Sequence, residues 1–85
     1  MKVQFKCRSG QSYTITDNPD NKDLLVLNGG VFHDMDIEPL KTELKVGSVV
    51  PIKYADTERS RKHTDVFQYG ACVLTTIDEL TDLEK

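Results

Sequence analysis

The chain has 85 residues, 38% of them hydrophobic, and its 14 acidic and 11 basic side chains give a formal net charge of −3. This length allows one small domain, and a net negative chain is poorly suited to tight, non-specific binding of duplex DNA, which depends on phosphate neutralisation. The sequence has no apolar run approaching the roughly 18 residues of a membrane-spanning helix, and no signal-like apolar core at its amino terminus. We therefore expect a cytoplasmic protein without a membrane partner, in which Cys7 and Cys72 stay reduced.

The first third of the chain has the alternation of polar and apolar residues that is typical of β-strands. Residues 2–7 and 12–16 both alternate with a period of two, and the turn signal Ser9-Gly10 lies between them. This pattern predicts an antiparallel hairpin. Leu24 to Leu27 predicts a third strand, and beyond the glycine kink at residues 28–30 we expect Val31-Phe32 to extend the sheet.

A change of period in the middle of the chain predicts one helix. Ile37, Leu40 and Leu44 lie at positions i, i+3 and i+7, which is one face of a helix. Asp36 is suited to cap this helix, and Pro39 falls in its first turn, where a missing N–H does no harm. We expect a helix of about two turns between the third and fourth strands.

Strand-like sequence returns in the second half of the chain. Val49 to Tyr54 predicts a fourth strand, a polar loop follows at residues 55–64, and residues 65–75 predict the last strand. The segment Thr76 to Glu79 has the pattern of a capping box, so residues 76–85 are predicted to form a short helical or frayed tail.

The predicted order of elements indicates a mainly β protein. Five strands with a short helix between the third and fourth have the order of an OB-like barrel, and an SH3-like barrel is the alternative. Both barrels curl the sheet and so remove most of its open edges. We expect residues 1–75 to form a single β-barrel domain, with pairing between the last and third strands favouring the OB-like form.

Four segments carry a resemblance to a known family. They are the glycine turn Gly30 to Phe32, the acidic segment Asp36 to Leu44, the valine-rich run Gly47 to Tyr54, and the basic stretch that begins Arg61-Lys62-His63 and ends at Phe67. Together they resemble the C-terminal OB domain of ATP-dependent DNA ligases, over roughly half the chain. The resemblance implies an OB architecture and a loop that faces nucleic acid. It does not imply ligation, because fold alone does not specify function.

The loop at residues 59–63 is the main candidate binding site, because Arg forks match phosphate geometry and Lys adds a point charge. Strand aromatics beside it are candidate platforms for base stacking. A solvated loop whose charges pair with Asp56, Glu58 and Asp65 is the alternative interpretation. The predicted nucleic-acid-binding residues are Arg59, Arg61, Lys62, His63, Lys53, Tyr54, Tyr69, Lys6 and Arg8.

Other kinds of site have little support in the sequence. Cys7, Cys72, His33 and His63 lack the spacing of a zinc site, and no nucleophile or phosphate-loop motif occurs. We therefore expect a binding module without cofactor or enzyme activity, most simply one that contacts single-stranded or structured nucleic acid. The alternative is a protein-interaction adaptor or a virus-encoded inhibitor, which would present the acidic segments 17–38 and 78–84 to a protein partner.

Overall fold

The computed structural model describes residues 1–84 and is mainly β, as predicted. Within these residues, seven strands and two single-turn helices follow one another along the chain. They are β1 (Lys2–Cys7), β2 (Ser12–Asp17), β3 (Leu25–Gly29), β4 (Phe32–Ile37), β5 (Val50–Lys53), α1 (Glu58–Arg61), α2 (Thr64–Phe67), β6 (Ala71–Leu74) and β7 (Ile77–Asp82). In the described part of the chain, no helix has the length and apolar character needed to cross a bilayer.

The strands form two antiparallel sheets. The larger sheet has the order β4-β3-β2-β1-β7, which is a four-strand meander whose free side at β1 is covered by the last strand of the chain. The smaller sheet is the hairpin β5–β6. A single bridge between Ile37 and Tyr54 connects the end of β4 to the end of β5, and so joins the two sheets.

The register of the larger sheet places one row of apolar side chains on the inner face. Ile15 lies opposite Leu27, and Leu27 lies opposite Met35, and all three are fully buried. Side chains of the smaller sheet, including Val50 and Ile52, join the same buried cluster. The two sheets therefore share one core. The period of two in the sequence explains this, because it directs the apolar side chains of each strand to the same face of its sheet.

The helix predicted over Asp36 to Leu44 is wrong. Asp36 and Ile37 end strand β4, and residues 38–49 form an irregular connection. Leu40 and Leu44 still pack against the core, but they do so from this connection. Two turns of helix are marginal without tertiary support, and Ile37 is fully buried at the bridge to Tyr54, which favours the extended backbone.

The predictions for the second half are also corrected. The strand expected over residues 65–75 begins only at Ala71, because residues 64–67 form α2. The helical tail is wrong as well: Ile77 to Asp82 is strand β7, with Ile77 fully buried opposite Cys7. Pairing with β1 satisfies backbone groups that a short tail helix would leave open to water. Lys85, the last residue of the predicted tail, lies outside the described residues.

The ladders formed by residues 1–84 give two open sheets and no closed barrel. Within this range the last strand, β7, pairs with β1 and not with the third strand. Pairing between the last and third strands was the feature expected to favour the OB-like form. The mainly β class is thus confirmed, whereas the barrel stays a prediction.

Candidate functional site

The predicted basic loop is folded into two helical turns. Thr57 begins α1 as its N-cap, and its side-chain oxygen accepts a hydrogen bond from the amide of Ser60 at 3.2 Å. His63 precedes α2 and makes no side-chain cap bond. The loop is therefore an ordered corner of the protein whose cations have defined positions.

Asp36 is the centre of a buried polar network under this corner. Its carboxylate accepts hydrogen bonds from Asn18 Nδ2 at 2.7 Å, Thr57 Oγ1 at 2.6 Å and Arg59 Nε at 3.1 Å, and from a second nitrogen of Arg59. The backbone carbonyl of Asp36 accepts from Ser60 Oγ at 2.7 Å. Asp36 is only 4% exposed, so the network attaches α1 to the end of β4 inside the protein.

The ionisation of Asp36 follows from these contacts. Burial raises the pKa of the Asp36 carboxyl, but the hydrogen bonds from Arg59, Thr57 and Asn18 and the positive charge of Arg59 together hold the pKa below its ordinary value. The hydrogen bond with Asp36 in turn raises the pKa of Arg59. Both groups are charged at neutral pH, and the guanidinium of Arg59 is already engaged by a carboxylate.

Three of the other six predicted cations form surface ion pairs. Arg61 Nε lies 2.7 Å from Asp56, Lys53 Nζ lies 3.3 Å from Glu38, and Arg8 Nε lies 3.4 Å from Asp78. Exposed pairs of this kind contribute little to stability. They reduce the positive potential of the surface, although a stronger anion could displace the carboxylates.

The remaining three predicted cations are outside these ion pairs. Lys62 and Lys6 are exposed and make no ion pair within residues 1–84, and His63 is half-buried. Lys62 lines a shallow depression of about 390 Å³, whose rim also includes the acidic residues Asp20 and Glu58. This depression therefore combines Lys62 and Arg59 with acidic side chains and is not a purely basic surface.

The two predicted tyrosines have opposite environments. Tyr54 is buried, with its ring centroid 6.0 Å from that of Phe32. Burial raises the pKa of its hydroxyl, and a hydrogen bond with Cys72 adds to the shift. Tyr54 therefore belongs to the core and cannot stack on a base, whereas Tyr69 is 72% exposed and can.

The predicted acidic surface is partly used inside the molecule. In the segment 17–38, Asp17 binds the terminal ammonium of Met1, and Asp36 is buried against Arg59. In the segment 78–84, Asp78 pairs with Arg8. These contacts reduce the negative charge that either segment can offer to a partner.

The sequence reasoning missed an apolar surface on the β5–β6 hairpin. Five exposed side chains define it, and we call it the hairpin face. They are Val49, Pro51, Tyr69, Ala71 and Val73. It borders a groove of about 880 Å³ whose other wall is formed by Pro39, Leu40 and Lys41. A signal was present in the sequence, because residues 68–77 contain no charged side chain.

Comparisons with known proteins add no assignment. No protein-family model, curated protein or solved structure matches this chain. The resemblance to the OB domain of DNA ligases therefore stays a prediction. Among residues 1–84, no group of three or more metal-ligating side chains converges.

Proposed function

We propose that this protein is a small, non-enzymatic protein-interaction module, and that the hairpin face is its binding surface. The observation that carries the proposal is the exposure of Tyr69 (72%) and Val73 (61%) beside a mainly apolar groove. Contiguous exposed apolar surface marks interaction sites in small soluble proteins, because its burial by a partner is favourable.

The chemistry of the hairpin face suits a protein partner. Pro51 lies opposite Val73 in the β5–β6 ladder, so their side chains share one side of the sheet. The exposed tyrosine and the low charge suit an interface, because tyrosine is enriched and charged residues are depleted at the centres of interfaces. Lys53 lies on the same side and is paired with Glu38, so the surface carries little unbalanced charge.

The finer architecture is part of this proposal. The return of β7 to the free side of β1, and the absence of a helix between β3 and β5 within the described residues, favour the SH3-like alternative over the OB-like barrel. The shared core and the Ile37–Tyr54 bridge support a curled arrangement of the two sheets. The cytoplasmic location expected from the sequence stays a prediction.

The binding proposal is tested with two matched valine substitutions. Val73→Lys places a charge on the hairpin face, whereas Val31→Lys changes a similarly exposed valine next to β4. We expect a partner captured from cell extract, identified and then titrated as a purified protein, to bind the Val73→Lys variant at least about tenfold more weakly. The Val31→Lys variant should bind it like the wild type. Equal binding by all three proteins would refute the role of the hairpin face.

Nucleic-acid binding, the simplest expectation from the sequence, is kept as a second candidate. Its support is that Lys62 and Lys6 have no ion pair within residues 1–84 and that Tyr69 is free to stack. The test is fluorescence anisotropy at low salt with a labelled single-stranded oligonucleotide. We expect affinity in the micromolar range that falls when Arg61 and Lys62 are both changed to alanine. Absence of binding at tens of micromolar, or binding that the double variant retains, would exclude this candidate; Arg59 is left unchanged because it holds Asp36.

A further inference from the structure

Of the four edge strands in the ladders of residues 1–84, β4 and β5 meet each other at one isolated bridge, and β6 and β7 each have a side that meets no other strand. In this range β7 pairs only with β1, and β6 pairs only with β5, whereas the other side of β5 meets β4 at the Ile37–Tyr54 bridge. The two open edges differ in charge: β7 carries Asp78, Glu79 and Asp82, and residues 68–77 around β6 carry no charge. Proteins commonly block open edges with charges, and β6 has no such protection.

The phase of the β5–β6 ladder decides which backbone groups of β6 are free. The amide of Tyr54 donates to the carbonyl of Gly70 at 3.0 Å. Hydrogen-bonded and non-hydrogen-bonded pairs alternate along an antiparallel ladder, so Cys72 also directs its amide and carbonyl toward β5. Ala71 and Val73 direct theirs to the open side.

A second hydrogen bond supports this phase independently. Lys53 lies opposite Ala71 in the ladder, and its carbonyl accepts from the amide of Glu38 at 2.9 Å, on the side away from β6. The pair Lys53–Ala71 is therefore of the non-hydrogen-bonded kind. The open edge of β6 thus presents two amides and two carbonyls, those of Ala71 and Val73.

We propose that the chain binds a second copy of itself by antiparallel pairing of β6 with the partner's β6, which rests on the proposed function of the hairpin face. With Ala71 opposite the partner's Val73, the two free amides and two free carbonyls of each copy form four hydrogen bonds about a two-fold axis. The two hairpins then form one four-stranded sheet. The two hairpin faces become continuous, with Val73 and the partner's Val73 as diagonal neighbours, roughly 7–8 Å apart.

Charge is the reason that the occupant is a second copy. A two-fold interface places the same patch on both sides, so a charged strip would face its own charge. At the edge of β7 such pairing would oppose Asp78 and Glu79 with identical acids, whereas the edge of β6 meets only neutral side chains. A charged partner strand would find no counter-charge on β6, which is uncharged, and Lys53 on the neighbouring β5 is already paired with Glu38.

The first test measures the oligomeric state of the full chain. We expect the sedimentation coefficient of the wild type to rise from the monomer toward the dimer between about 5 and about 500 µM, as mass action requires. Val73→Lys places like charges on diagonal positions across the axis and should raise the dimer dissociation constant at least about tenfold. Val31→Lys is the matched control and should leave the constant unchanged. Circular dichroism verifies that both variants are folded, as the exposure of the two valines predicts.

The second test locates the interface. In amide spectra of isotope-labelled protein, the signals of Ala71 and Val73 should shift with concentration, and those of Asp78 and Glu79 should not. A wild type that stays monomeric, association that Val73→Lys leaves intact, or shifts centred on β7 would each overturn the inference. If the chain is monomeric but a different partner is lost in Val73→Lys, the hairpin face keeps its proposed function and only the self-pairing is refuted. If Val73→Lys changes neither self-association nor the binding of another partner, both proposals fail.

Discussion

Replacing Asp36 with alanine is expected to lower the free energy of unfolding by about 3 kcal/mol, the lower end of the range for breaking a buried ion pair. The substitution removes the acceptor for Asn18, Thr57 and Arg59 at one position. Asn18 is buried and loses a partner, whereas the 35% exposure of the Arg59 side chain lets water replace part of the lost contact. Urea denaturation followed by circular dichroism measures the change.

Asp56→Ala is the matched control for this result. Asp56 also accepts a hydrogen bond from an arginine, Arg61, at 2.7 Å, but both side chains are largely exposed. We expect a loss of less than about 1 kcal/mol, as for other surface ion pairs. Equal losses in the two variants would contradict the structural role assigned to the Asp36 network.

The same network predicts an acid-sensitive contribution to stability. Because the pKa of Asp36 in the folded protein lies below its ordinary value, the stabilisation is complete above that ordinary value of 3.8 and is lost as the pH falls through the folded pKa. In the Asp36→Asn variant this part of the pH dependence should be missing. A wild type and a variant whose stabilities fall in parallel on acidification would contradict the assignment.

Gly29→Ala is expected to destabilise the protein by about 3 kcal/mol through two effects that add. Gly29 has a φ of +125°, where any Cβ is strained, at a cost of roughly 1–2 kcal/mol. A Cβ at this position would also meet the carbonyl oxygen of Ser12 and, at 2.9 Å, the Cα of Tyr13 on the neighbouring strand. Backbone cannot move aside as a flexible side chain can, and crowding of this kind typically costs about 1–3 kcal/mol.

Gly10→Ala separates these two effects. Gly10 has a φ of +92°, but a Cβ there would have no atom within 4 Å. We expect only the conformational cost, roughly 1–2 kcal/mol. Thermal unfolding of the two variants and the wild type gives the comparison, and equal shifts in melting temperature would show that the approach of β2 to Gly29 is looser than described.

Strict alternation predicted the first two strands correctly. Phe5 and Ile15 each sit among polar neighbours, and both are fully buried on the inner face of the sheet. The helix prediction failed because three residues, Ile37, Leu40 and Leu44, matched a helical period by chance. Ile37 is buried in a strand, and the two leucines reach the core from an irregular segment. A short apolar pattern does not distinguish these outcomes, since burial can be reached from either backbone.

The candidate site was predicted less well than the fold. The cationic character of residues 59–63 is visible in the sequence, but the attachment of Arg59 to Asp36 depends on a contact between residues 23 positions apart. Tyr54 and Tyr69 look alike in the sequence, and only packing makes one a core residue and the other a surface residue. The uncharged run at residues 68–77 was readable, yet its meaning depends on β6 being an open edge.

Local alternation was thus sufficient to establish the mainly β class and the first hairpin, because a half-buried strand imposes a period of two on neighbouring residues. The tertiary structure alone decided that residues 77–82 join the sheet beside β1, that Arg59 faces a buried carboxylate, and that Val73 faces water. Each of these outcomes depends on which distant segments come together. The alternation within one strand determines which of its faces is buried, but not which distant segment becomes its neighbour.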